Sequence, residues 1–116
     1  MYNPGEVVFV DFGDRDGVTE KGVRPAVIVS SELHNQINRS LVVVPLTKQL
    51  NKSHWHEHAQ VQILSKTKHY APSVAMCEHV TEVDRDFVDN TIGYLSESDY
   101  RLVLKILKEV TLCHVS

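Results

Sequence analysis

The sequence is short of cysteine, glycine and long apolar runs, and each shortage closes off a class of protein. Two cysteines in 116 residues, Cys77 and Cys113, are too few for a disulfide scaffold. Both sit among apolar neighbours, so they read as reduced core residues of a cytoplasmic protein. No hydrophobic stretch approaches the roughly 20 residues needed to cross a bilayer, and no membrane partner is expected. The start, Met1-Tyr2-Asn3-Pro4-Gly5, has neither the basic residues nor the apolar stretch of a secretion signal. With five glycines and four prolines there is no low-complexity linker, and no internal repeat is visible. One domain over residues 1–116 is therefore expected. A strongly basic balance is missing too, because the net charge is −3, which counts against a nonspecific nucleic-acid binder.

What charge there is falls unevenly. Between His34 and Tyr70 stand Arg39, Lys48, Lys52, Lys66 and Lys68 against Glu57 alone, a local net of +4 that leaves −7 for the rest. Five of the seven histidines (34, 54, 56, 58 and 69) share this window. One face of an acidic protein can thus be positive, or the lysines simply solvate loops.

β-Branched and aromatic residues make Glu6 to Phe12 a first strand. Gly13 to Gly22 is a polar loop bounded by glycine. Pro25 to Ser30 is short and continuously apolar, as a central strand would be. A helical turn is expected at Ser31 to His34, then a strand from Leu41 to Leu46 ended by Pro45. Alternation at Ala59, Val61 and Ile63 marks a strand near His58 to Leu64. Ser73 to Cys77 and His79 to Val83 read as one interrupted strand, and Thr91 to Leu95 as a short last one. Ser96 has the position of an N-cap, with Asp99 where a capping box places an acid. Tyr100, Val103, Leu104, Leu107 and Val110 then recur at helical spacing. Short strands closed by one amphipathic C-terminal helix make a strongly curved, mainly β architecture the expectation.

The run Gly22-Val23-Arg24-Pro25-Ala26-Val27-Ile28-Val29-Ser30 carries the chemistry. Proline disfavours helix for the residue before it, so Arg24 is held extended at the base of a strand that must be buried. A guanidinium fixed there can grip a phosphate or carboxylate with two parallel hydrogen bonds. Equally, it can pair with Asp11, Asp14 or Asp16 as a structural ion pair. The second feature is His54-Trp55-His56-Glu57-His58. In an extended chain its three histidines share one side. They can contact RNA with Trp55 stacked on a base, bind a metal, or lie in a solvated loop. Nearby Lys48 and Lys52 favour RNA over metal. Tyr70 and Cys77 are most simply core, and Asp84, Asp86 and Asp89 a solvated turn.

Taken in order, Gly5-Glu6-Val7-Val8-Phe9-Val10-Asp11-Phe12, the Arg-Pro run above, Val43-Val44-Pro45-Leu46-Thr47 and Glu78-His79-Val80-Thr81-Glu82-Val83-Asp84 resemble the MazF/PemK family of toxin ribonucleases over nearly the whole chain. The resemblance implies an SH3-like β-barrel with short helices, of the MazF/PemK/CcdB type, closed by the C-terminal helix. It further implies a homodimer that cuts single-stranded RNA with neither metal nor other cofactor, and a cognate antitoxin that blocks the site. Arg24 matches the family's catalytic arginine, and Thr47 the threonine after the third strand. A threonine hydroxyl there can reach the phosphate or only cap the strand end. Val18-Thr19-Glu20 departs from the family's Ser-Glu-Gln. A one-residue slip aligns Thr19 with the serine and Glu20 with the glutamate. His79 replaces a glutamine. Thr19, Glu20, Lys48, Lys52, His54, Trp55, His56, His58 and His79 form a second tier of RNA-binding candidates. The rival from another class is a barrel that poisons a protein target such as DNA gyrase, as CcdB toxins do. That action needs a binding helix and no Arg-Thr pair.

Overall fold

The computed structural model describes residues 2–13, 22–52 and 56–112, with the side chains of Lys52 and Leu112 excepted. Seven strands and two helices follow in the order β1 (Glu6–Asp11), β2 (Val23–Ile28), α1 (Glu32–Ile37), β3 (Ser40–Thr47), β4 (His58–Val61), β5 (Ser73–Met76), β6 (Thr81–Asp84), β7 (Val88–Tyr94) and α2 (Glu97–Leu112). All pairings are antiparallel. The path runs β4-β5-β3-β2-β1-β7, with β6 beside β3. No described helix is long and apolar enough to cross a membrane.

Alternation in the three central strands sends side chains into two cores. Val7, Val27, Val44 and Leu46 join Ala59, Val61, Ala75 and Val103 of α2 in one. Val8, Val10, Ala26, Ile28, Leu41 and Val43 form the other with Phe12 and Val83. Both faces are buried, which is why these strands read as unbroken apolar runs. Helix α2 begins as expected, with the Ser96 hydroxyl accepting from the Asp99 N–H at 3.2 Å. The box does not close, however. The Asp99 carboxylate instead accepts from the Gln62 N–H beyond β4 at 2.9 Å. Leu104 departs from the expected stripe and is exposed, whereas Val103 is wholly buried.

The barrel is curved but not closed. Among the described residues its terminal strands are hydrogen-bonded to each other only where Leu64, just past β4, exchanges backbone hydrogen bonds of 2.8 and 2.9 Å with Tyr94 of β7. Gly93 makes that approach possible. A Cβ there would lie 2.8 Å from the Ile63 Cγ2 and closer still to the Leu64 carbonyl oxygen. Backbone cannot yield as a side chain can, so Gly93→Ala should cost about 1–3 kcal/mol. Thermal denaturation should show the midpoint falling by roughly 5 °C or more. An unchanged midpoint would mean the seam relaxes freely.

Several elements differ from the sequence expectation. Strand β3 does not end at Pro45 but runs through it to Thr47. It pairs with β6 at residues 40–43 and with β5 at 46–47, and Pro45 falls in the gap between those partners. The Val29 N–H donates to the Val42 carbonyl at 2.9 Å, setting the parity of the β2–β3 ladder. By alternation the Pro45 nitrogen faces that gap, where no N–H is needed. The interrupted strand becomes β5 and β6, separated by a 3-10 turn at Cys77–His79. Helix α1 exceeds the expected turn and is capped by Ser31, whose hydroxyl accepts from the His34 N–H at 3.1 Å.

Candidate active site

Arg24 owes its position to three local causes. Gly22, at φ +73°, accepts from the Phe12 N–H at 2.9 Å and donates to the Gly13 carbonyl at 3.0 Å, pinching the chain back beside β1. Strand β2 then starts at Val23, two residues before the expected start. Its β1 edge stays paired there, Val23 opposite Asp11 and Arg24 opposite Val10. The other edge ends sooner, since the β2–β3 register runs only from Ile28↔Val43 to Ala26↔Pro45. The same parity that frees Pro45 points the Pro25 nitrogen at Leu46, where proline has no hydrogen to give. With that rung missing, the two strands part.

Continuing the register by two residues brings Arg24 opposite Thr47, and here a cleft opens. Arg24, Pro25, Leu46, Thr47, Lys48 and Gln49 are among its walls, and it encloses about 390 Å³. The Arg24 side chain is half-buried at this mouth. Thr47 is nearly buried, and its hydroxyl accepts from the Gln49 N–H at 3.3 Å. Accepting that bond leaves the hydroxyl's own proton available to a ligand in the cleft. Lys48 is exposed beside it. A forked cation, a hydroxyl donor and a lysine thus face one space. That set suits a phosphate whose negative charge grows during reaction.

A second cleft of about 360 Å³ adjoins the first through Val23, Pro25 and Lys48. Phe9, Ile63 and Ile92 form its apolar floor, and Lys68, His69, Tyr70 and Ser73 its remaining walls. Tyr70 was expected in the core. It does pack there, but only half-buried, with the Lys68 ammonium 5.1 Å from its ring centroid. A sequence signal existed in Lys68-His69-Tyr70, basic and aromatic residues side by side within the positive window. Nothing in that signal tells which cleft they meet.

The other candidates scatter. Thr19, Glu20, His54 and Trp55 lie outside the described residues, as do the Lys52 side chain and Cys113. His56 is exposed in a turn, so His56 and His58 do not share an extended face. His58 requires correction as an RNA contact. Its side chain is wholly buried on β4, with Nε2 2.6 Å from the Glu78 Oε2. A ring sealed from solvent cannot touch a strand of RNA. His79 flanks the same carboxylate at 3.8 Å and lines neither cleft. Among the described residues no three His, Cys, Asp or Glu side chains gather as a metal site. Burial pushes the Cys77 thiol up to about 12, so it stays protonated and inert. Asp84 and Asp86, read as a solvated turn, are half-buried and exposed respectively, and bind Arg39 at 3.4 and 2.9 Å. The Asp86 N–H on its carboxylate, then Arg39, holds Asp84 below the usual carboxylate range.

Comparison with known proteins bears on the family and the fold. Residues 3–111 match the family model described as PemK-like, MazF-like toxin of type II toxin–antitoxin system. The chain is 26% identical over 103 residues to the endoribonuclease MazF of Staphylococcus saprophyticus, covering 89% of this chain and 85% of that protein. The MazF structure from Deinococcus radiodurans superposes with a TM-score of 0.75 at 16% identity, covering 94% of each chain. A mycobacterial endoribonuclease solved in complex with its cognate antitoxin also gives 0.75, at 15% identity, over 95% of this chain and 94% of that one. The chain belongs to the PemK-like, MazF-like toxins of type II toxin–antitoxin systems.

Proposed function

We propose that the chain, acting as one unit over residues 1–116, is a metal-independent, sequence-preferring endoribonuclease that cleaves single-stranded RNA. The observation that carries this reading is the convergence of Arg24 and Thr47 on one cleft, at the place where the β2–β3 ladder ends. In the reaction the 2′-oxygen loses its proton and attacks the adjacent phosphorus. The bond to the 5′-oxygen breaks, and that oxygen takes up a proton, leaving a cyclic phosphate and a free 5′-hydroxyl. Arg24 neutralises the charge that builds on the phosphoryl oxygens, and its two parallel N–H donors match their spacing. Thr47 adds a third hydrogen bond from its hydroxyl. Lys48 draws the flanking backbone toward the cleft.

Family membership supports the setting, a toxin held in check by a cognate antitoxin in the cytoplasm and working as a homodimer. The rival reading, a CcdB-like poison of a protein target, gains no support, since the relatives named above are endoribonucleases.

Long unstructured RNA incubated with the protein in excess chelator should be cut at discrete sites, with cyclic phosphate and 5′-hydroxyl ends. Loss of cutting in chelator, restored by a divalent ion, would refute the metal-independent step. RNA left whole with or without metal would refute the nuclease.

A further inference from the structure

We propose that the second cleft is a nucleobase pocket that sets one position of the cut motif, with Tyr70 as the stacking surface and Ser73 as the group that reads the base edge. The proposal rests on the ribonuclease reading of the neighbouring cleft.

Continuity comes first. The two clefts share Val23, Pro25 and Lys48, so a strand with its phosphate at Arg24 has its next nucleotide at the second opening. Shape is the second point. Phe9, Pro25, Ile63 and Ile92 make an apolar floor, and about 360 Å³ falls within the range of small-molecule sites, ~300–1,000 Å³. That is room for one base. The Tyr70 ring is anchored from behind by the core and from its own backbone, whose carbonyl accepts from the Gln62 side-chain amide at 2.6 Å. A ring held this way loses little freedom when a base stacks on it.

Charge selects the ligand class. Lys48 and Lys68 rim the pocket, and no Asp or Glu is among its walls. Across Phe9 and Val23 lies a third hollow that carries Asp11, Asp86 and Asp89. An RNA strand leaving Arg24 is therefore drawn toward Lys68 and repelled from the opposite side. The ridge between the two is Val23, which is 64% exposed.

Ser73 supplies the specificity. It is only 2% exposed, yet it lines this pocket, and its hydroxyl makes no hydrogen bond to any described residue. That hydroxyl is not sealed in the core, since among the described residues the Glu78 Oε1 is the one buried polar side-chain atom without a partner; it opens on the cleft. It becomes useful when a ligand completes it, and a hydroxyl can face either a donor or an acceptor on a base edge.

The test compares wild type, Ser73→Ala and Lys68→Ala on an unstructured RNA containing all four bases in varied order, with every fragment end mapped. Affinity is read with an oligonucleotide blocked by a 2′-deoxy group at the cut site. Ser73→Ala should melt no lower than wild type, because it removes an unpartnered hydroxyl, while its kcat/KM at preferred sites falls about 3- to 10-fold. Its base preference should relax at one position only. Lys68→Ala should weaken binding across all sequences and reduce the salt slope by about 1. A motif unchanged in Ser73→Ala, beside normal wild-type cutting, would overturn the pocket while leaving the nuclease intact. An unchanged motif with weaker antitoxin binding in these variants would reassign the cleft to a protein ligand and likewise overturn it. If the wild type itself cuts nothing, the underlying ribonuclease reading falls first.

Discussion

Arg24→Ala is expected to lower the rate of RNA cleavage by about 10²–10³-fold, the usual loss when a preorganised donor to a developing oxyanion is removed. Its effect should exceed that of any other single change in the cleft. Arg24 alone brings a permanent charge, a planar fork and a backbone fixed on both sides by Gly22 and Pro25. The loss should appear in kcat more than in KM, because the charge it faces grows only as the phosphorane forms. Arg24→Lys should recover part of the rate, since it keeps the charge but not the paired donors. Neither variant should move the thermal midpoint by more than about 4 °C, the scale of substitutions outside the core. A collapse of the fold in Arg24→Ala would instead identify the residue as a structural ion-pair partner, the alternative its acidic neighbours in sequence raised.

The largest effect on stability is expected from His58→Ala. The imidazole is sealed inside β4 against the Glu78 carboxylate, and the Glu78 Oε1 is already buried without a hydrogen bond. Removing the ring strips the carboxylate of its 2.6 Å contact and leaves a cavity where a wholly buried side chain stood. Breaking one half of a buried polar pair costs about 3 kcal/mol or more. For a domain of this size the midpoint should drop by roughly 10 °C or more, read by calorimetry or circular dichroism. Glu78→Gln, which keeps the shape and an acceptor oxygen, should lose much less. Should His58→Ala melt like the wild type, the pair contributes nothing to the fold. His58 would then need another explanation for its burial.

How much of this was legible in the sequence varies by element. The strands around Val7–Val10, Ala26–Ile28 and Leu41–Leu46 were, because runs of β-branched residues buried on both faces leave a signal that needs no partner to interpret. Helix α2 was, through its 3.6-residue spacing and the Ser96 cap. Its details were not, because the exposure of Leu104 and the engagement of Asp99 by Gln62 depend on where the helix lies against β4. The histidine cluster misled for a similar reason. Placing three histidines on one face assumes an extended chain, but a turn at His56 precedes the strand and turns His58 into the core.

Of the candidate active site, the linear chain supplies the parts. Arg24 is held extended by the proline after it, a covalent constraint that acts over one bond. Thr47 was marked only by its likeness to the family's motif. What tertiary structure decided was their meeting. Residues 24 and 47 come together because strand register sets them opposite each other, and because Pro25 removes the hydrogen bond that would have kept the strands shut. The second cleft is more remote still from anything linear. Phe9, Pro25, Ile63, Tyr70, Ser73 and Ile92 are spread along most of the chain and touch one space only when the sheet curls. Periodicity records which face of a strand is buried, but not which strand lies beside it. Every neighbour that makes these clefts is a fact of strand order.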